Sequence, residues 1–200
     1  FSTNFLGTIG AGRQNRICLT GAGGAATDST ISGGYRNTTF GATNTIGGGQ
    51  LNSASGSANT IAGGNGNQIV GIAYHSIIGG QSNCIFGNYY GTVGGGLRNR
   101  ICGTTTNSGT ISGGYCNCVH DSYATAGGGI SNQACSNSST VSGGKKNCAD
   151  GNFSTVSGGY CNQTTGLCTT VGGGCKKTRG LVTVAGGKDN TASGDYAVIG

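Results

Sequence analysis

Isolated β-branched residues recur along the chain at near-constant spacing, each flanked by a Thr or Ser and a small residue. The recurring word is Thr-(Ile/Val)-small-Gly-Gly-x-x-Asn. It opens at Thr8, Thr30, Thr45, Thr60, Ser76, Thr92, Thr110, Thr125, Thr140, Thr155, Thr170, Thr183 and Val198. Successive starts are mostly 15 residues apart, with extremes of 13 and 22. A dominant short period marks a solenoid, in which each repeat is one unit stacked on the last. Such a unit is too short for a helical hairpin and suits one β-coil of two short strands and tight turns. The pattern therefore predicts an all-β parallel solenoid, or β-roll, of about 12 coils with a 15-residue repeat. Residues 1–200 read as one repeat segment, with 1–29 the least regular.

Numbering each coil from its Thr, position 2 holds Ile9, Ile31, Ile46, Ile61, Ile77, Val93, Ile111, Val141, Val156, Val171 and Val184. β-Branched side chains suit an inward strand ladder, and these residues are assigned to it. Position 10 gives a second inward column, from Ile17 to Thr164. Position 8 is a column of asparagines: Asn37, Asn52, Asn67, Asn83, Asn99, Asn117, Asn132, Asn147, Asn162 and Asn190, with Lys177 the exception. Stacked Asn side chains can satisfy turn backbone groups along the rod. Alternation across a strand points positions 14, 1 and 3 away from the interior. Those columns include Thr60, Tyr74, Tyr90, Thr92, Tyr123, Thr140, Ser142, Phe153 and Thr155, and their only charge is Asp28. An uncharged outward strip predicts a chain–chain face. Charges collect instead at positions 6, 7 and 9, which predicts one side for packing and another for water.

Composition fits this reading. The 200 residues include 45 Gly, no Pro, and a hydrophobic fraction of 34%, too little for a large core. A solenoid needs only one or two buried side chains per coil, because neighbours cover them. The net charge of +6 comes from dispersed basic residues, so solvation is preferred over a nucleic-acid partner. The chain has no apolar run of membrane-spanning length, and no membrane insertion is expected in this segment. Because Phe1 is not an initiator Met and Gly200 falls part-way through a coil, the chain reads as part of a longer fibre.

The columns resemble the head repeats of trimeric autotransporter adhesins, the YadA-like or haemagglutinin-type repeat. That family repeats Ser-Val-Ala-Ile-Gly-x-x-Ala-x-Ala-x-Gly-x-x. Here the unit reads Thr-Val-Ser-Gly-Gly-x-x-Asn-x-Ala-x-Gly-x-x-Ser, and Asn190–Val198 is a near match. The resemblance covers nearly the whole chain and extends to fibre proteins of phages and large DNA viruses. It implies a left-handed roll, a homotrimer, an extracellular, cell-surface or virion location, and no catalytic residues or cofactors. The chain departs from the family in its 15-residue unit, in Asn at position 8 and in its ten Cys.

Enzymatic chemistry has little to stand on: the chain has no Glu, and five scattered Asp. Cysteine is more informative. All ten fall at outward or turn positions, which points to an oxidising compartment, with Cys161–Cys175 the best-placed disulfide across adjacent coils. Cys116, Cys118, His120 and Cys135 are a candidate tetrahedral metal set, weighed against incidental cysteines on an outward strand. Of four Asn-x-Ser/Thr sequons, Asn137 and Asn152 fall at an exposed turn, whereas Asn37 and Asn162 belong to the Asn column.

The function expected is a structural fibre or adhesin segment with identical chains as partners, displaying a surface toward a receptor or glycan. An ice-binding solenoid using the Thr column is the alternative.

Overall fold

The computed structural model describes residues 6–18, 28–103, 107–178, 182–192 and 197–200. The described residues form β-strands and turns without helix. Two parallel sheets run the length of the chain, one of 13 strands and one of 12, and consecutive strands alternate between them. Each circuit of the chain thus adds one strand to each sheet. The protein is a parallel β-solenoid with a repeat of about 15 residues, seen in pairings such as Thr30↔Thr45 and Thr45↔Thr60.

The first strand of each coil is two residues long, as in Thr30–Ile31, Thr140–Val141 and Thr155–Val156. Its Ile or Val stacks directly on that of the next coil, for example Ile46↔Ile61 and Val141↔Val156. These side chains are fully buried, as are Ile69, Ile85, Ile101 and Val119 of the second inward column. One continuous apolar spine results, running from Ile31 to Val171. Ile9 departs from the expected ladder: it is 46% exposed, because its strand is the edge of the sheet and only one neighbour covers it.

The corners are held by asparagine. Asn52 Nδ2 donates to the carbonyl of Gly48 at 2.9 Å in its own coil and of Gly64 at 3.0 Å in the next, while Oδ1 accepts the Asn67 backbone N–H at 3.0 Å. The same trio recurs from Asn37 to Asn147. An Asn side chain offers both the two donors and the acceptor that this corner requires, and the groups concerned are buried. The glycine at position 5 is fixed by the same packing: Gly64 has φ +98°, and a Cβ there would run into the Gly80 carbonyl.

The Asn column ends differently from the sequence expectation. The structure pairs Gln163 with Lys177, so Lys177 stands at position 9 and not at position 8. The short 13-residue coil has lost its residue before the strand, and Asn162 Oδ1 has no hydrogen-bond partner among the described residues. The side chain of Asn190 lies outside the described residues.

A second corner column was not anticipated. Ser29, Asn44, Asn59, His75, Ser139, Ser154 and Thr169 are all buried just before the next Thr or Ser, with Gly91, Gly109 and Ala124 at the same place in the coils between His75 and Ser139. Asn44 Nδ2 donates to Phe40 O and Gly56 O, and its Oδ1 accepts the Asn59 N–H. His75 continues the column, accepting the Gly91 N–H at Nδ1 at 2.9 Å. That bond fixes the neutral imidazole with its proton on Nε2.

Candidate functional site

The outer face of the 13-stranded sheet carries the uncharged columns. Thr60 and Ser142 are exposed there, while Thr92, Thr140 and Thr155 are half-buried. Tyr74, Tyr90, Tyr123 and Phe153 do not belong to the strand, as alternation had suggested. Their φ angles of 62°, 59°, 58° and 56° place them at a left-handed corner flanking it. Projection from the corner leaves them 56%, 57%, 61% and 57% exposed. Tyr74 and Tyr90 stack at 5.3 Å between ring centroids, tilted by 8°. Ile78, at position 3, is 60% exposed in the same strip.

The corner at positions 6 and 7 is less uniform than the sequence suggested. Arg13, Arg36, Arg98, Lys145 and Lys146 are exposed there, but so are Leu51, Tyr115, Ile130 and Tyr160. Position 6 forms its own ladder of single bridges, Leu97↔Tyr115↔Ile130↔Lys145↔Tyr160. The Arg36 guanidinium lies 5.1 Å from the Tyr35 ring centroid. Charged and apolar side chains therefore share this corner.

The outer face of the 12-stranded sheet is a cysteine face. Position 9 runs Cys84, Arg100, Cys118, Gln133 and Cys148 across five successive coils, and position 11 runs Phe86, Cys102, His120, Cys135 and Asp150. Thiols meet on one diagonal, from position 11 of one coil to position 9 of the next. Cys102 Sγ lies 3.4 Å from Cys118 Sγ, and Cys135 Sγ lies 3.6 Å from Cys148 Sγ.

Two sequence assignments change as a result. The metal-ligand group that gathers is Cys102, Cys118 and His120, with ligand atoms all within 4.8 Å of one another. Cys116 sits at a corner with φ 54°, and Cys135 turns to Cys148. Cys102 comes from the coil before, brought in by the pairing of Arg100–Cys102 with Cys118–Val119, which the spacing within one strand does not show. The second change concerns the disulfide. Cys161 and Cys175 are both free thiols, Cys161 lying at a corner with φ 55°.

The thiols differ electrostatically. Burial pushes Cys84 up to about 11, against the lowering effect of Arg100. A hydrogen bond from the Cys118 thiol holds Cys102 down at about 6, opposed by burial and helped by His120 and Arg100. Cys118 is raised by the same bond and by burial. Cys135 and Cys148 divide likewise, Cys135 raised and Cys148 lowered by the hydrogen bond between them. In each diagonal one thiol is poised to ionise and its neighbour to donate to it.

Of the sequon asparagines, Asn37 and Asn162 are buried in the corner column, Asn152 is exposed and Asn137 is half-buried. Among the described residues no helix is long and apolar enough to cross a membrane. Neither a scan against protein-family models nor a comparison with curated proteins returned a match to this chain.

Proposed function

We propose that the chain is a structural rod that assembles with identical chains through the outer face of its 13-stranded sheet, as part of a fibre for surface display or attachment. The observation that carries this reading is the strip formed by positions 14, 1 and 3. It is rich in Thr and Ser, bears exposed Tyr74, Tyr90, Tyr123 and Phe153, and has Asp28 as its only charge. An exposed uncharged strip of this length, studded with aromatic side chains, favours a covering surface, and an identical strip supplies one in matching register. The resemblance to YadA-like repeats favours three left-handed chains around a common axis, outside the cell or on a virion. A receptor or glycan would then be met by the variable corner at positions 6 and 7.

Light scattering and sedimentation test the assembly directly. Ser142→Lys places like charges at the contact, where each also loses hydration, so the oligomer is expected to dissociate while circular dichroism stays β-rich. Lys145→Glu, on the opposite corner, is expected to leave assembly intact. A Ser142→Lys protein that assembles like the parent removes the interface. Threonine columns in unbroken register, such as Thr110↔Thr125↔Thr140↔Thr155, then favour an ice-facing surface, read as thermal hysteresis.

A further inference from the structure

We propose that Cys102, Cys118 and His120 bind a soft divalent cation, Zn2+ fitting best, with one coordination position open to solvent. The three ligands come from two neighbouring strands, Arg100–Cys102 and Cys118–Val119, with His120 following directly. Pairing of Arg100 with Cys118 and Ile101 with Val119 sets their relative height. The ligand atoms lie within 4.8 Å of one another before any ion is present.

The separations match a metal better than a bond between the sulfurs. A tetrahedral ion with Zn–S of about 2.3 Å and Zn–N of about 2.0 Å needs ligand–ligand edges of about 3.5–3.8 Å. The observed Sγ–Sγ distance is 3.4 Å and the Sγ–Nδ1 distance from Cys102 to His120 is 3.6 Å. A disulfide requires about 2.05 Å, a far larger movement. His120 presents Nδ1 to the sulfur, so Nδ1 ligates and the ring proton rests on Nε2. Both sulfurs ligate as thiolates, and any proton the pair still carries, including the one shared between Cys118 and Cys102, leaves to solvent on binding. Two thiolates then neutralise the ion, and the nearby Arg100 guanidinium is drawn aside over the Phe86 ring at 5.4 Å. The half-buried sulfurs and the exposed imidazole leave the fourth position to water or an incoming donor.

The rod carries its own control. Cys135 and Cys148 repeat the diagonal two coils on, at 3.6 Å, with Asp150 where His120 stands. Among the described residues only Cys102, Cys118 and His120 bring three such ligands together.

The test is titration of the reduced full chain with Co2+ under anaerobic conditions, followed by displacement with Zn2+. One equivalent per chain is expected, with a thiolate-to-cobalt charge-transfer band that Zn2+ removes. Cys102→Ser and Cys118→Ser should abolish the band. His120→Ala should weaken binding by at least about tenfold, the lower end of what losing even a supporting partner costs a metal site. Cys135→Ser and Cys148→Ser should bind as the parent does. All five substitutions lie on outward positions, and circular dichroism without metal checks that the coil is unchanged. The proposal is overturned if Cys118→Ser binds like the parent or if Cys148→Ser abolishes the band. It is equally overturned if, on later exposure to air as oxidant in excess Zn2+, Cys102 and Cys118 form a disulfide as fast as without the metal.

Discussion

The rod builds its second corner in two ways, and the contrast isolates what one residue decides. In the stretch 38–59 the corner is Gly41-Ala42-Thr43-Asn44 or Gly56-Ser57-Ala58-Asn59, with both glycines at left-handed φ, 98° and 113°. Asn44 reaches back to the Phe40 carbonyl at 2.9 Å, and the preceding strand extends over Thr38–Ala42. In the stretch 133–154 the terminal residue is Ser139 or Ser154. A Ser side chain is too short for that reach. The turn closes within itself instead, Ser139 N–H donating to Ser136 O and Ser154 N–H to Gly151 O, each at 3.1 Å, while the two Ser hydroxyls accept the Ser136 and Gly151 N–H groups at 3.3 Å. The strands there shrink to Gln133–Ala134 and Cys148–Ala149. Spacing is the same in both stretches, and the Asn or Ser at the end of the corner goes with the turn that forms.

The first corner shows no such choice, so it is where substitution should hurt most. Asn132→Ala removes donors to Gly128 O at 2.7 Å and Gly144 O at 2.9 Å, and the acceptor of the Asn147 N–H. Each orphaned buried group costs about 1–3 kcal/mol, so urea unfolding should show a loss of several kcal/mol with opening centred on that coil. At the second corner the same logic predicts a milder result. Asn44→Ser can adopt the turn of Ser139 and Ser154, and should cost about 1 kcal/mol, the net worth of roughly one hydrogen bond. Hydrogen exchange should show the Ala42 region losing protection while the Ile31 and Ile46 amides keep theirs. Equal losses at Asn44 and Asn132 would end the distinction between the corners.

The smallest effect is read from one column of the cysteine face. Cys84 and Cys148 both occupy position 9, yet burial raises the first to about 11 and a hydrogen bond from Cys135 lowers the second. At pH 8 Cys148 should alkylate faster than Cys84, and mass spectrometry of timed digests measures the ratio. The Cys84 contribution to stability has a defined sign. Its folded value lies above the ordinary 9.0, so the contribution is complete below that pH and is lost as pH rises toward and through about 11. Alkylation of Cys84 should accordingly be slower in the folded than in the urea-unfolded chain at pH 9.

The first inward column and the Asn corner were legible because each keeps one kind of residue in nearly every coil. Ile46, Ile61 and Ile77 must be apolar to stack, and Asn52 and Asn67 must be Asn to make three bonds. The second corner was hidden by its variety: Ser29, Asn44, His75 and Thr169 share a place and not a chemistry. A signal did exist in the Gly-x-x-Asn words at 34–37, 41–44, 49–52 and 56–59, which repeat at half the coil length. The cysteine site was half visible. Cys118 and His120 share a strand direction, but pairing with Cys102 depends on which diagonal closes, and periodicity does not encode that.

The stacking of coils also sets how the rod would carry load. Among the described residues the interstrand hydrogen bonds, from Thr30 N–H to Asn44 O through Thr155 N–H to Thr169 O, join one coil to the next and point along the rod. Pulled from its ends, the chain meets these bonds in succession and not together. A terminal coil peels first, because only one neighbour holds it, and each release pays out about 50 Å of slack from 15 residues at roughly 3.4 Å apiece. Force would thus be met by a long staircase of small, nearly equal yields, a shock absorber whose step length is the repeat itself.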